Sequence, residues 1–129
     1  MTHKILVVDD LRDSADSLAL LLGMMGHEVC TAYDGDEALD AAQRFRPDVV
    51  LLDIGMPRMD GIEACQRLRE QPWGRKMVII AQTGWGQEEH LRRTQAAGFD
   101  LHLTKPFDPE LLLQALHDLM AGRARAAGA

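Results

Sequence analysis

The sequence predicts an α/β fold in which a parallel sheet of five strands is covered by helices on both faces. Three observations carry that expectation. Short apolar runs without polar alternation read as strands buried on both sides. The segments between them carry apolar residues at three-to-four spacing, as helices do. The runs end in polar residues, and in such sheets chemistry collects beyond the carboxyl ends of the strands.

The first run, Lys-Ile-Leu-Val-Val from Lys4 to Val8, stops abruptly at Asp9 and Asp10. The same form recurs from Asp48 to Leu52, ending in Asp53, and from Met77 to Ala81, ending in Gln82 and Thr83. Weaker runs from Glu28 to Ala32 and from Asp100 to Leu103 complete the set. Helical spacing appears at Leu11, Ala15, Leu18, Leu22 and Met25, then at Ala38, Ala41, Ala42 and Phe45, and again at Ile62, Cys65, Leu68 and Arg69. Boundary signals agree: Gly26 follows the first helix, Asp34 and Asp60 cap the second and third, Pro47 ends the second, and Gly98 closes the fourth. Asp108 caps a fifth, with Pro109 at its first position. Strands and helices in alternation imply right-handed crossovers.

With 129 residues, 47% of them hydrophobic and 26% charged, the chain has the size and composition of one domain. The expected organisation is a domain over residues 1–121 and a flexible tail over 122–129. A formal charge of −6 argues against nucleic-acid binding, which is built on Lys and Arg neutralising phosphates. No apolar run approaches the ~20 residues needed to span a bilayer and no leader pattern is evident, so no membrane is expected and the location is cytoplasmic. Cys30 and Cys65 show neither a Cys-x-x-Cys pair nor zinc spacing, and both are expected as buried thiols. His3, His27, His90 and His117 show no metal spacing and read as surface residues.

Asp9, Asp10 and Asp53 each follow an apolar strand and converge if the first and third strands are neighbours. Three carboxylates in one place repel, and a divalent cation relieves the repulsion. Magnesium suits them, because it takes one or two carboxylates together with waters and phosphate oxygens. Thr83 adds a hydroxyl donor and Lys105 an ammonium. A carboxylate nucleophile, a metal, a hydroxyl and a lysine are the parts of in-line phosphoryl transfer to an aspartate, with Asp53 attacking. Singly, each Asp could be a helix cap and Thr83 a loop hydrogen bonder; the joint pattern is what points to the site.

At this point the chain resembles the response regulator receiver family. The resemblance rests on Val-Val-Asp9-Asp10, Leu-Leu-Asp53-Ile-Gly-Met-Pro57-Arg-Met-Asp60-Gly61, Thr83 and Leu-Thr-Lys105-Pro106-Phe107, and it covers residues 3 to 120. It implies a flavodoxin-like, doubly wound fold with strand order 2-1-3-4-5, and Mg2+ held by Asp10 and Asp53 with Asp9. It also implies phosphorylation of Asp53 by a histidine kinase or histidine phosphotransfer protein, and a signalling role in place of turnover of a separate substrate. His102 stands where the family commonly carries the tyrosine or phenylalanine that acts with Thr83 as a switch; it is either a gating ring or an exposed strand histidine.

Two positions depart from the usual pattern. Gly55 and Trp85 stand where the family influences access of water to the phosphoryl group, and neither offers a carboxylate or amide, so slow self-dephosphorylation is expected. Trp85 between Gly84 and Gly86 either folds onto the fourth helix or anchors a partner. The last helix is apolar over a wide arc through Leu111, Leu112, Leu113, Ala115, Leu116, Leu119 and Met120, which leaves open a homodimer contact or simple packing on the sheet. An aspartyl-phosphate hydrolase of the haloacid dehalogenase kind would want a second Asp where Gly55 stands.

Overall fold

The computed structural model describes residues 2–56, 60–83, 96–104 and 109–128, with the side chains of Thr83, Pro109, Met120 and 122–128 left aside. In chain order the elements are β1 (Lys4–Val8), α1 (Arg12–Met24), β2 (Glu28–Ala32), α2 (Gly35–Phe45), β3 (Val49–Asp53), α3 (Gly61–Glu70), a 3-10 turn (Pro72–Gly74), β4 (Val78–Thr83), β5 (Leu101–Thr104) and α4 (Pro109–Gly128). The helix expected between β4 and β5 falls largely outside the described residues. Its end is visible in the helical Ala96 and Ala97, closed by Gly98 at φ 106°. The backbone of α4 stays helical to Gly128, further than the boundary expected at 121, because Ala121, Ala124, Ala126 and Ala127 are strong helix formers.

The strands form one parallel sheet in the order β2-β1-β3-β4-β5. Alternate residues of each strand face two separate cores. Leu6, Val8, Val50, Leu52, Ile79 and Ala81 pack against α2 and α3, while Ile5, Val7, Val49, Leu51, Val78 and Ile80 pack against α1 and α4. In the central strands β1, β3 and β4 water reaches neither face from Ile5 to Val8, Val49 to Asp53 and Val78 to Gln82, which is why their apolar runs carry no polar alternation.

The caps stand where the sequence places them. The carboxylates of Asp34 and Asp60 accept from the backbone N–H groups of Glu37 and Glu63 at 2.7 and 2.9 Å. Arg46 ends α2 in the left-handed region at φ 53°, ahead of Pro47, and Gly26 follows α1 at φ 97°. Three expectations need correction. Leu11 caps α1 instead of packing beneath it and is 61% exposed, and Met25 at the other end is also exposed, so the buried stripe of α1 is Ala15 and Leu22. Cys30 is only half-buried, because β2 is an edge strand; Cys65, on the inner face of α3, is fully buried. His3 and His27 are half-buried and stacked at 5.5 Å, with the His3 N–H donating to His27 Nδ1 at 3.1 Å, a tie between the starts of β1 and β2.

Arg69, near the end of α3, fastens the sheet end opposite the aspartates. Its guanidinium donates to the carbonyls of Gly74, Met77 and Gly98 at 2.7–3.0 Å and to Asp100 Oδ2 at 2.8 Å, and that same oxygen accepts from Ile79 N–H. Both charges are largely buried, at 19% and 21% side-chain exposure. Arg69→Ala takes the guanidinium away from Asp100, which keeps its bond from Ile79 N–H, and from the carbonyls gathered around it, so urea denaturation should show a loss of about 3 kcal/mol.

Cys65 donates its thiol to Ala97 O at 3.4 Å. Burial pushes that thiol up to about 12, against the lowering pull of the Arg69 guanidinium. At pH 8 an alkylating reagent should therefore modify Cys30 in the folded protein and leave Cys65 untouched until denaturant is added, as peptide mass mapping would show.

Candidate functional site

Strands β1 and β3 are hydrogen-bonded neighbours with Val8 opposite Leu52, so the next residues, Asp9 and Asp53, stand side by side at the strand ends. Asp9 continues the ladder to β2 by donating its N–H to Ala32 O at 3.1 Å. Asp10 follows at the turn into α1. One carboxylate oxygen from each of Asp9, Asp10 and Asp53 lies within 4.8 Å of the others. Asp9 is 2% and Asp53 8% exposed, whereas Asp10 stands in solvent at the rim.

Backbone amides hold the two buried carboxylates. Asp9 Oδ1 accepts from Leu11 N–H at 3.0 Å, and Asp53 Oδ1 accepts from Gly55 N–H at 2.9 Å. These are tight local turns that fix side-chain direction. The group contains oxygen donors alone, with no imidazole or thiolate, and it concentrates formal negative charge at the strand ends, two of its three carboxylates buried. That donor set fits a hard divalent cation such as magnesium and is a poor match for zinc or copper.

The loop after Asp53 is held from below by α3. At Gly61 an added Cβ would overlap the Asp53 carbonyl oxygen and come within 2.7 Å of Ile54 Cα. Only glycine lets the first turn of α3 lie against the end of β3. In the sequence the Asp60–Gly61 pair reads as a cap and part of a motif; the close approach is a tertiary fact.

Thr83 ends β4 with its backbone paired to Thr104, one strand beyond Asp53. Lys105 and Trp85 lie outside the described residues, as does Asp108. His102 sits on β5 opposite Ala81, on the sheet face that meets α2 and α3, half-buried with its ring 6.4 Å from that of Phe99. Gln82, at the end of the third apolar run, belongs to no motif of the sequence. It is 2% exposed and pairs in register with Asp53.

Residues 5–117 match the family described as the response regulator receiver domain. The chain belongs to that family. Among its relatives, a 14.6 kDa protein of Leptolyngbya boryana is 40% identical over 110 residues, covering 85% of this receiver and 84% of that protein. Response regulator MprA of Mycobacterium bovis is 40% identical over 120 residues, covering 93% of this receiver but 51% of MprA. The receiver thus spans about half the length of MprA. The solved structure of the Vibrio cholerae chemotaxis protein CheY4 superposes with a TM-score of 0.84 at 36% identity, covering 92% of this receiver and 98% of CheY4. No helix among the described residues is long and apolar enough to cross a membrane.

Burial lowers the pKa of His102 below its ordinary 6.5. The folded receiver therefore resists protonation that the unfolded chain accepts, so the neutral ring's contribution is intact above pH 6.5 and is lost as pH falls toward the folded pKa. Between pH 7 and pH 5, His102→Phe should lose less stability than the parent in matched urea titrations.

Proposed function

We propose that this receiver accepts a phosphoryl group on Asp53 from the phosphohistidine of a histidine kinase or histidine phosphotransfer protein, and that the added charge changes the surface it offers to partners. The observation that carries this reading is the convergence of Asp9, Asp10 and Asp53 at the ends of neighbouring strands. Asp9, Asp10 and Asp53 would hold Mg2+, which when bound supplies positive charge against phosphoryl oxygens.

Transfer joins an Asp53 carboxylate oxygen to phosphorus and breaks the P–N bond of the donor. The electron pair stays on the imidazole nitrogen, which takes up a proton. The Gly55 N–H on Oδ1 keeps the carboxylate oriented for attack. Thr83 and Lys105 are assigned to the phosphoryl oxygens from their places after β4 and β5 and from the likeness to the family, and His102 with Thr83 to the switch. Gly55 has no side chain to orient a water, which supports a phosphoryl group that outlasts seconds. The reading keeps the receiver at 1–121 with a tail after it, places it in the cytoplasm, and gives it no catalytic turnover beyond its own phosphorylation and dephosphorylation.

A homodimer contact on α4 is a secondary reading, carried by the wide apolar arc of its sequence, on which Leu112 and Leu116 are buried and Leu111 stands exposed.

Incubation with phosphorylated histidine kinases or phosphotransfer proteins and Mg2+ should label the parent, and Asp53→Ala should take no label. Label on Asp53→Ala overturns the assignment. The phosphorylated parent should retain its label for minutes at neutral pH in Mg2+, and decay within seconds would remove the role given to Gly55.

A further inference from the structure

Gln82 has an unusual environment for a polar residue near the aspartates. Its side chain is buried at 2% exposure, yet among the described residues Nε2 has no hydrogen-bond partner. A buried amide donor without an acceptor carries its full desolvation cost. The position asks for something apolar: Val78 and Ile80, which share its face of β4, are core residues packed with Val49 and Leu51. A leucine would fill the place without that cost.

The sheet register places Gln82 where an acceptor would have to arrive. Gln82 is the in-register partner of Asp53, and neighbouring strands stand about 4.8 Å apart. By strand alternation the two residues share one face, following Val49 and Leu51 on β3 and Val78 and Ile80 on β4. The backbones are also joined there, with Ile54 N–H donating to Gln82 O at 3.3 Å. A glutamine side chain has the length needed to span one inter-strand spacing toward a group built on the neighbouring aspartate. Phosphorylation of Asp53 would add three strong acceptor oxygens and a charge of about −1.5 to −2 at that spot.

We propose that Gln82 is a phosphoryl-binding residue, whose side-chain amide donates a hydrogen bond to the phosphorylated form of Asp53. The inference rests on the phosphoacceptor reading of Asp53. In the resting receiver the amide has no acceptor among the described residues; in the phosphorylated one it is paired. The difference favours the phosphorylated state over the resting state and adds to the contribution of Thr83 and Lys105.

The test uses beryllium fluoride, which with Mg2+ imitates the phosphoryl group on a carboxylate, together with acetyl phosphate as a covalent donor. Gln82→Leu should melt at the same temperature as the parent or higher, because the unsatisfied donor is gone. It should nevertheless bind beryllium fluoride about tenfold more weakly, as expected for a lost hydrogen bond to a charged group. Its binding of Mg2+ alone should stay within twofold of the parent. A purely structural glutamine would leave beryllium fluoride affinity unmoved.

Gln82→Met keeps the length of the side chain without the donor and reads the same quantity should leucine's shape disturb folding. Affinity within twofold of the parent in a folded variant overturns the role of Gln82 and leaves the phosphoacceptor reading standing. A parent that takes no phosphoryl group from acetyl phosphate and binds no beryllium fluoride overturns both.

Discussion

Strands β1 and β3 lie side by side with Val8 opposite Leu52, and both are dry on either face. That pairing delivers Asp9 and Asp53 to one point and brings Asp10 in beside them. A shift of one residue in this register would carry an aspartate onto the opposite face, into a hydrophobic core. The double burial of the sheet therefore does more than stabilise it. It makes the register hard to change, and the position of the acidic group inherits that stiffness.

The crowding of negative charge at the strand ends is the cost of this arrangement, and the surroundings are built to contain it. Backbone amides of Leu11 and Gly55 bind the two buried carboxylates, and α3 is brought close beneath the loop by a residue without a side chain. At the other end of the sheet, Arg69 gathers Gly74, Met77, Gly98 and Asp100. One end is closed by a cation already supplied by the chain. The other has anionic oxygens suited to a cation that arrives from solution, and Gln82 adds a donor with no acceptor among the described residues.

Much of this was legible in advance, for reasons that can be named residue by residue. The runs beginning at Lys4, Asp48 and Met77 announce buried parallel strands because nothing polar interrupts them, and Asp34 and Asp60 announce helix starts because a short carboxylate at that position satisfies a backbone N–H three residues on. Local rules misplaced Leu11 and Met25, since helical spacing extends formally past the last residue that the sheet can cover. They also gave Cys30 too much burial, because an edge strand is indistinguishable from a central one until the strand order is known.

By itself, then, the sequence determined the strands, the caps, the family resemblance and the acidic residues at the strand ends, all of which depend on neighbours close along the chain. Tertiary structure alone decided the matters that depend on residues far apart in it. The approach of Gly61 to the Asp53 carbonyl is set by how α3 packs back onto β3. Arg69 bridges elements some thirty positions apart, as its bonds to Gly98 and Asp100 show. Gln82 looks like an ordinary polar residue at a strand end until the register puts it beside Asp53 and burial removes the water that would have satisfied its amide.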